Sequence, residues 1–188
     1  MKIVQQAPPK VQIAILLDTS GSMDGLIRQA KSELWSIVNR FSEAKHKGVA
    51  PVIEVALFEY GKDSIPADEG YLRMITPLTS DLDQVSEELF ALRTNGGSEY
   101  AGLVIERSVQ GLQWSKSSSD YRAIFIAGNE PFTQGPMPYA KAIAQAGSRA
   151  IIVNTIHCGS IKDGVEGKWK HAAKIGEGDF LTIEQNHR

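Results

Sequence analysis

Cysteine is almost missing from this chain. Cys158 is the only one in 188 residues, so no internal disulfide can close and no thiolate zinc cage can form. Surplus charge is missing too: 20 Lys and Arg stand against 22 Asp and Glu, a net charge of -2. The absence of a large basic field argues against non-specific binding to nucleic acid or to a membrane surface. Short basic clusters, Lys45-His46-Lys47 and Lys168-Trp169-Lys170, read as solvated helix ends. No apolar run approaches the roughly 18 residues of a spanning helix, and no signal-peptide pattern opens the chain. There is no G-x-S-x-G elbow, P-loop or G-x-G-x-x-G, which removes the simplest hydrolase and nucleotide-binding classes.

The hydrophobic share, 42%, is ordinary for a soluble protein of this length, which suits one domain with a real core. Gln5-Gln6-Ala7-Pro8-Pro9-Lys10 is polar and Pro-containing, so residues 1–10 are expected to be a linker and 11–188 the domain. That opening suggests a domain of a longer, extracytoplasmic protein.

Val11 to Leu17 is nearly continuous apolar, the pattern of a central parallel strand buried on both faces. Ala123 to Ala127 and Ala150 to Val153 repeat it. Val52 to Phe58 alternates more, and Tyr71 to Ile75 is expected to pair with it across the Asp-, Pro- and Gly-containing segment Gly61 to Gly70. Ile27, Ala30, Leu34, Val38 and Phe41 recur at helical spacing on a long first helix. Ser80-Asp81 can cap a second helix carrying Val85, Leu89 and Leu92. Ala101, Val104, Ser108 and Leu112 trace a third. Pro138 opens a fourth that ends at Gly147. Trp169, Ala172, Ala173 and Ile175 form a fifth, and Phe180 to Ile183 a last strand. Trp35, Trp114 and Trp169 are expected on helices, as packing residues. Strands alternating with helices imply an α/β fold with a doubly wound, mostly parallel sheet covered on both faces. In such sheets ligands bind outside the carboxyl ends of the strands.

The loop after the first strand reads Asp18-Thr19-Ser20-Gly21-Ser22-Met23. An acid and two hydroxyls at alternate positions can turn three oxygens toward one point, a set suited to a hard cation that keeps some waters. That favours Mg²⁺ before Mn²⁺ or Ca²⁺. Capping the next helix would explain one such residue and leave the others unexplained.

DTSGSM after a hydrophobic strand resembles the D-x-S-x-S signature of the metal-ion-dependent adhesion site (MIDAS) in von Willebrand factor A-type (VWA) domains. The order of elements agrees from about Val11 to Gln185. Phe58-Glu59-Tyr60-Gly61, Thr94 to Glu99 and Gly128-Asn129-Glu130-Pro131 are similar to bacterial members. The resemblance implies a second hydroxyl-bearing loop, where Gly96-Gly97-Ser98 falls. Ser98 is the candidate ligand there, with Glu99 and Thr94 competing. It also implies a third loop, usually Thr-Asp-Gly, and here the sequence departs: Ala127-Gly128-Asn129 takes its place and Gly128 stands at the aspartate position. The candidate metal ligands are therefore Asp18, Ser20, Ser22, Ser98 and Glu130 through water, with Glu99 and Thr94 as weaker candidates.

With Asp18 as sole direct carboxylate, a divalent cation would keep positive charge and attract an acidic group from a partner protein. Phe132 and Met137, in the loop beyond, are candidate partner contacts. His157-Cys158 suggests a nucleophile pair, but adjacent strand residues point to opposite faces, so packing is the expectation. The resemblance implies a non-enzymatic recognition module. Its rivals are an assembly scaffold with a vestigial site and a metal-dependent hydrolase using Glu99 or Glu130.

Overall fold

In the computed structural model of the chain, which describes residues 7–45 and 48–184, strands and helices alternate along the sequence. The order is β1 (Lys10–Asp18), α1 (Ile27–Glu43), β2 (Val52–Tyr60), β3 (Leu72–Thr79), α2 (Leu82–Ala91), α3 (Ala101–Gly111) and β4 (Tyr121–Gly128). It continues through α4 (Tyr139–Ser148), β5 (Ile152–Cys158), α5 (Ile161–Glu166), α6 (Trp169–Ile175) and β6 (Glu177–Ile183). One sheet forms in the order β3-β2-β1-β4-β5-β6. Only β3 runs antiparallel to its neighbour; the other pairings are parallel.

The unbroken apolar run of β1 has its cause in this layering. Ile13, Ile15 and Leu17 face a core completed by Ala30, Leu34 and Val38 of α1 and by Val85 and Leu89 of α2. Ala14 and Leu16 face the opposite core, with Val104 and Ile105 of α3, Ala142 and Ile143 of α4, and Trp169 of α6. Each strand residue thus enters one of two apolar layers, and no polar face is needed. A Leu16→Ala change would cost about 2–5 kcal/mol by the usual measure of a core deletion.

Three expectations are corrected. β2 is buried on both faces rather than alternating, because it lies one strand in from the edge with a helix layer on either side. Helix α5 has no counterpart in the sequence pattern, because Ile161 and Val165 stay exposed and leave no buried stripe to read. Trp114 lies beyond the end of α3, in the connection to β4, where its Nε1 donates to Ser108 O at 3.0 Å. Asp81 does cap α2, accepting from Gln84 N, whereas Pro138 sits at the cap position just before α4. Gln5, Gln6, His46, Lys47 and Gln185 lie outside the described residues.

Candidate functional site

β1 is flanked on both sides by parallel strands, and its chain connections leave toward β2 while β4 returns on the other side. The carboxyl ends of β1 and β4 therefore diverge at a topological switch point, where an open α/β sheet leaves a crevice. Asp18, Tyr60 and Gly128 end β1, β2 and β4 there.

Asp18 is completely buried. Its Oδ1 accepts from Ser20 N at 2.8 Å, the short-range turn that Asp makes two residues onward. The chain then makes a single 3-10 turn, Gly21–Met23, pinned by Met23 in the core. Thr19 faces the other way. Its amide donates to Tyr60 O at 2.9 Å, its hydroxyl donates to Glu59 Oε2 at 3.1 Å, and its carbonyl accepts from Asn95 N at 2.8 Å. Glu59 is itself fully buried and held by Arg73 Nε at 2.6 Å and Lys62 Nζ at 3.4 Å. This ion network sits under the loop and fixes Thr19, so the alternate residues Ser20 and Ser22 are left for the crevice.

The hydroxyls of Ser20 and Ser22 lie 2.9 Å apart. Ser22 Oγ donates to Asn129 Oδ1 at 3.0 Å, and Asn129 Nδ2 donates back to Ser22 O at 3.0 Å. Sequence reasoning missed this two-way bridge between the loops after β1 and β4. Asn129 beside a Gly in a strand-end loop was its only signal.

Glu99 is nearly buried beside Asp18 and Ser20, and all three close around Gly61. A methyl group there would lie 2.9 Å from Asp18 Oδ1, 3.0 Å from Glu99 Cγ and 3.3 Å from Ser20 Cβ. Gly61 also has φ +80, so glycine is required on both counts. Glu99 N donates to Gln134 Oε1 at 3.3 Å, which ties the second loop to the segment after β4. Thr94 spends its hydroxyl on Asp24. Ser98 and Glu130 are both half-buried, and the Glu130 charge acts on Glu99.

Burial drives the electrostatics. The Asp18 carboxyl is pushed up to about 7, chiefly by burial and less by the Glu99 charge, against the opposing pull of Ser20. Glu99 is raised by burial first and then by the Glu130 charge. Tyr60 is raised well above the phenol range by burial and then by Asp18, so it remains a hydroxyl donor, to Ala127 O at 3.2 Å. Cys158 is pushed up to about 12 by burial and stays a thiol.

Asp18 Oδ2 is buried without a hydrogen-bond partner. An unpartnered carboxylate oxygen beside two serine hydroxyls fits a hard cation, and these are oxygen donors throughout. No group of three His, Cys, Asp or Glu side chains able to hold a metal occurs among the described residues. Any cation held here would have no more than the two carboxylates of Asp18 and Glu99, and its other ligands would be hydroxyls and waters. Gly128 has its own explanation: a methyl group on it would strike the Tyr60 hydroxyl and lie 2.9 Å from Asp18 Cβ. The phenol occupies the room an aspartate at 128 would need.

Phe132 is corrected as a partner contact. It is completely buried, packed edge-on to Trp169 with ring centroids 4.5 Å apart and to Tyr139 at 5.6 Å. Trp169 Nε1 donates to Glu130 O at 2.8 Å, so this aromatic cluster anchors the loop from below. Met137 is half-buried against the same cluster.

No protein-family model matches the sequence, and neither does any curated protein. Solved structures do match the fold. BatB, a conserved hypothetical protein from Bacteroides thetaiotaomicron, superposes with a TM-score of 0.71 at 17% identity, covering 94% of this chain and 91% of that one. The VWA domain of SpRpn10 gives 0.67 at 13% identity, covering 94% and 89%. Proximal thread matrix protein 1 from the mussel byssus, with a zinc-occupied MIDAS motif, gives 0.68 at 13%, covering 95% of this chain and 43% of that one. No helix among the described residues is long and apolar enough to cross a membrane. Its doubly wound sheet, with the Asp18 loop at the switch point, gives this chain the von Willebrand factor A fold.

Proposed function

We propose that the chain is a non-enzymatic recognition module whose crevice binds a divalent cation, Mg²⁺ by preference, and through it an acidic side chain of a partner protein. The observation that carries this reading is the unpartnered, buried Oδ2 of Asp18 beside Ser20 and Ser22. Asp18, Ser20, Ser22 and Glu99 would hold the ion, with Ser98 and Glu130 at its edge through water. Bound there, it would supply a Lewis-acidic point for a carboxylate. In this reading Glu99 would be the principal ligand of the second loop, ahead of Ser98, because it is packed against Asp18 and Ser20. The zinc-occupied motif of the mussel protein supports the cation, on a shared fold. An extracytoplasmic setting belongs to the same proposal.

Calorimetry tests it. Mg²⁺, Mn²⁺ and Ca²⁺ are titrated into the protein with and without an acidic peptide, and heat is expected that Asp18→Ala removes. No heat at millimolar metal in either case overturns the reading. A second reading, an assembly scaffold that uses the fold without a cation, is favoured by the Tyr60 hydroxyl standing where the third loop would supply an aspartate. Partner binding insensitive to EDTA would establish it in place of the first.

A further inference from the structure

At the opposite end of the sheet from Asp18, a groove of about 880 Å³ opens between the connection from α3 to β4 and the turn from α4 to β5. Its volume falls within the range of small-molecule sites. Three cations line it, Lys116, Arg122 and Arg149, and no carboxylate among the described residues does, in a chain whose net charge is -2. Leu112, Trp114 and Ala150 give it an apolar wall, and Ser118 adds a hydroxyl.

Arg122 is more than nine-tenths buried, unusual for an arginine. Its Nη1 donates to Ser115 O at 3.1 Å and Ser117 O at 2.7 Å, holding the serine-rich loop around the groove, while its Nε is buried without a partner. Arg149 Nη1 reaches Val109 O at 2.7 Å, so its guanidinium is anchored at the mouth. The turn that presents Arg149 includes Ala150 with φ 53, a left-handed conformation that a non-glycine residue rarely adopts. Asp120 lies behind the loop, accepting from Lys10 N at 2.8 Å and from the Ser115 hydroxyl, and offsets part of the positive charge. Two anchored guanidiniums, the exposed Lys116 amine, the Ser118 hydroxyl and an aromatic wall match an oxyanion attached to a flat apolar group.

We propose that this groove binds a small molecule carrying a phosphate monoester, with the phosphate on Lys116, Arg122 and Arg149 and the apolar part on Trp114. The site is independent of the cation crevice. The test is calorimetry of the full chain in EDTA with phenyl phosphate, inorganic phosphate and benzyl alcohol as probes. Phenyl phosphate is expected to bind most tightly and benzyl alcohol not at all. Lys116→Glu with Arg149→Glu, both exposed positions, should weaken phenyl phosphate at least tenfold with the melting temperature held, and Asp18→Ala should leave it unchanged. Arg122→Lys adds a second arm if it folds; the exposed pair decides the matter without it. No heat with 10 mM phenyl phosphate, or equal heat from the charge-reversed variant, overturns the proposal.

Discussion

Asp18→Asn is the most informative single perturbation, because it removes a charge from the crevice with little change of shape. In metal-free protein the Asp18 carboxyl titrates near 7, against 3.8 for an ordinary aspartate. The folded form therefore holds its proton more tightly than the unfolded form. The resulting stability is complete below pH 3.8, falls between about 4 and 7, and is gone above 7. At about 1.36 kcal/mol per pH unit, the difference is roughly 4 kcal/mol. The amide of the variant would keep the bond from Ser20 N but place a donor at the unpartnered Oδ2 position, costing roughly 1–3 kcal/mol. In EDTA the variant should then be more stable than the parent at pH 8 by about 2 kcal/mol, or roughly 4–8 °C in Tm for a chain of this size. At pH 5, where the parent regains roughly 2.6 kcal/mol of that stability, the variant's advantage should vanish and the two should melt within about 1 kcal/mol of each other. Adding 10 mM Mg²⁺ at pH 8 to a site with a Kd of about 1 mM should restore about 1.4 kcal/mol to the parent and nothing to the variant. Thermal melts at the two pH values, with EDTA or Mg²⁺, measure all of this. A variant less stable than the parent at pH 8 in EDTA, or one that responds equally to Mg²⁺, would refute the reasoning.

Gly128→Ala should destabilise the fold by roughly 1–3 kcal/mol through overpacking against Tyr60 and Asp18, and Tyr60→Phe in the same chain should recover part of it; a double-mutant cycle in urea showing additivity would contradict the clash. Phe132→Ala should cost about 3–5 kcal/mol, as a buried aromatic does, which chemical denaturation would show. Were Phe132 a surface contact, the loss would instead appear in partner binding with stability intact. Asn129→Ala should weaken metal-linked heat several-fold by releasing the Ser22 loop, at a stability cost of about 1–2 kcal/mol; unchanged calorimetry would remove Asn129 from the site.

Much of this was legible in the residues. Runs such as Val11 to Leu17 are set by burial on two faces, a local pattern with one structural solution, and the 3-4 spacing of α1 is likewise fixed by the period of a helix. The Asp18 loop was legible because an acid and two serines at alternate positions lie within five residues. What the sequence could not carry was distance between segments. Glu99 packed against Asp18, Asn129 bridging to Ser22 and Arg73 on Glu59 join residues 40 and more positions apart, or lie across a hairpin whose register depends on bulges. Phe132 read as a loop residue because its neighbours are Pro, Thr, Gln and Gly, and only the tertiary contact with Trp169 turned it inward. The place of the loop at the end of a buried strand followed from local patterning, which is short-range physics. Tertiary packing brought Tyr60 against Gly128 and left Asp18 Oδ2 buried without a partner, because burial and steric exclusion exist only once the strands stand side by side.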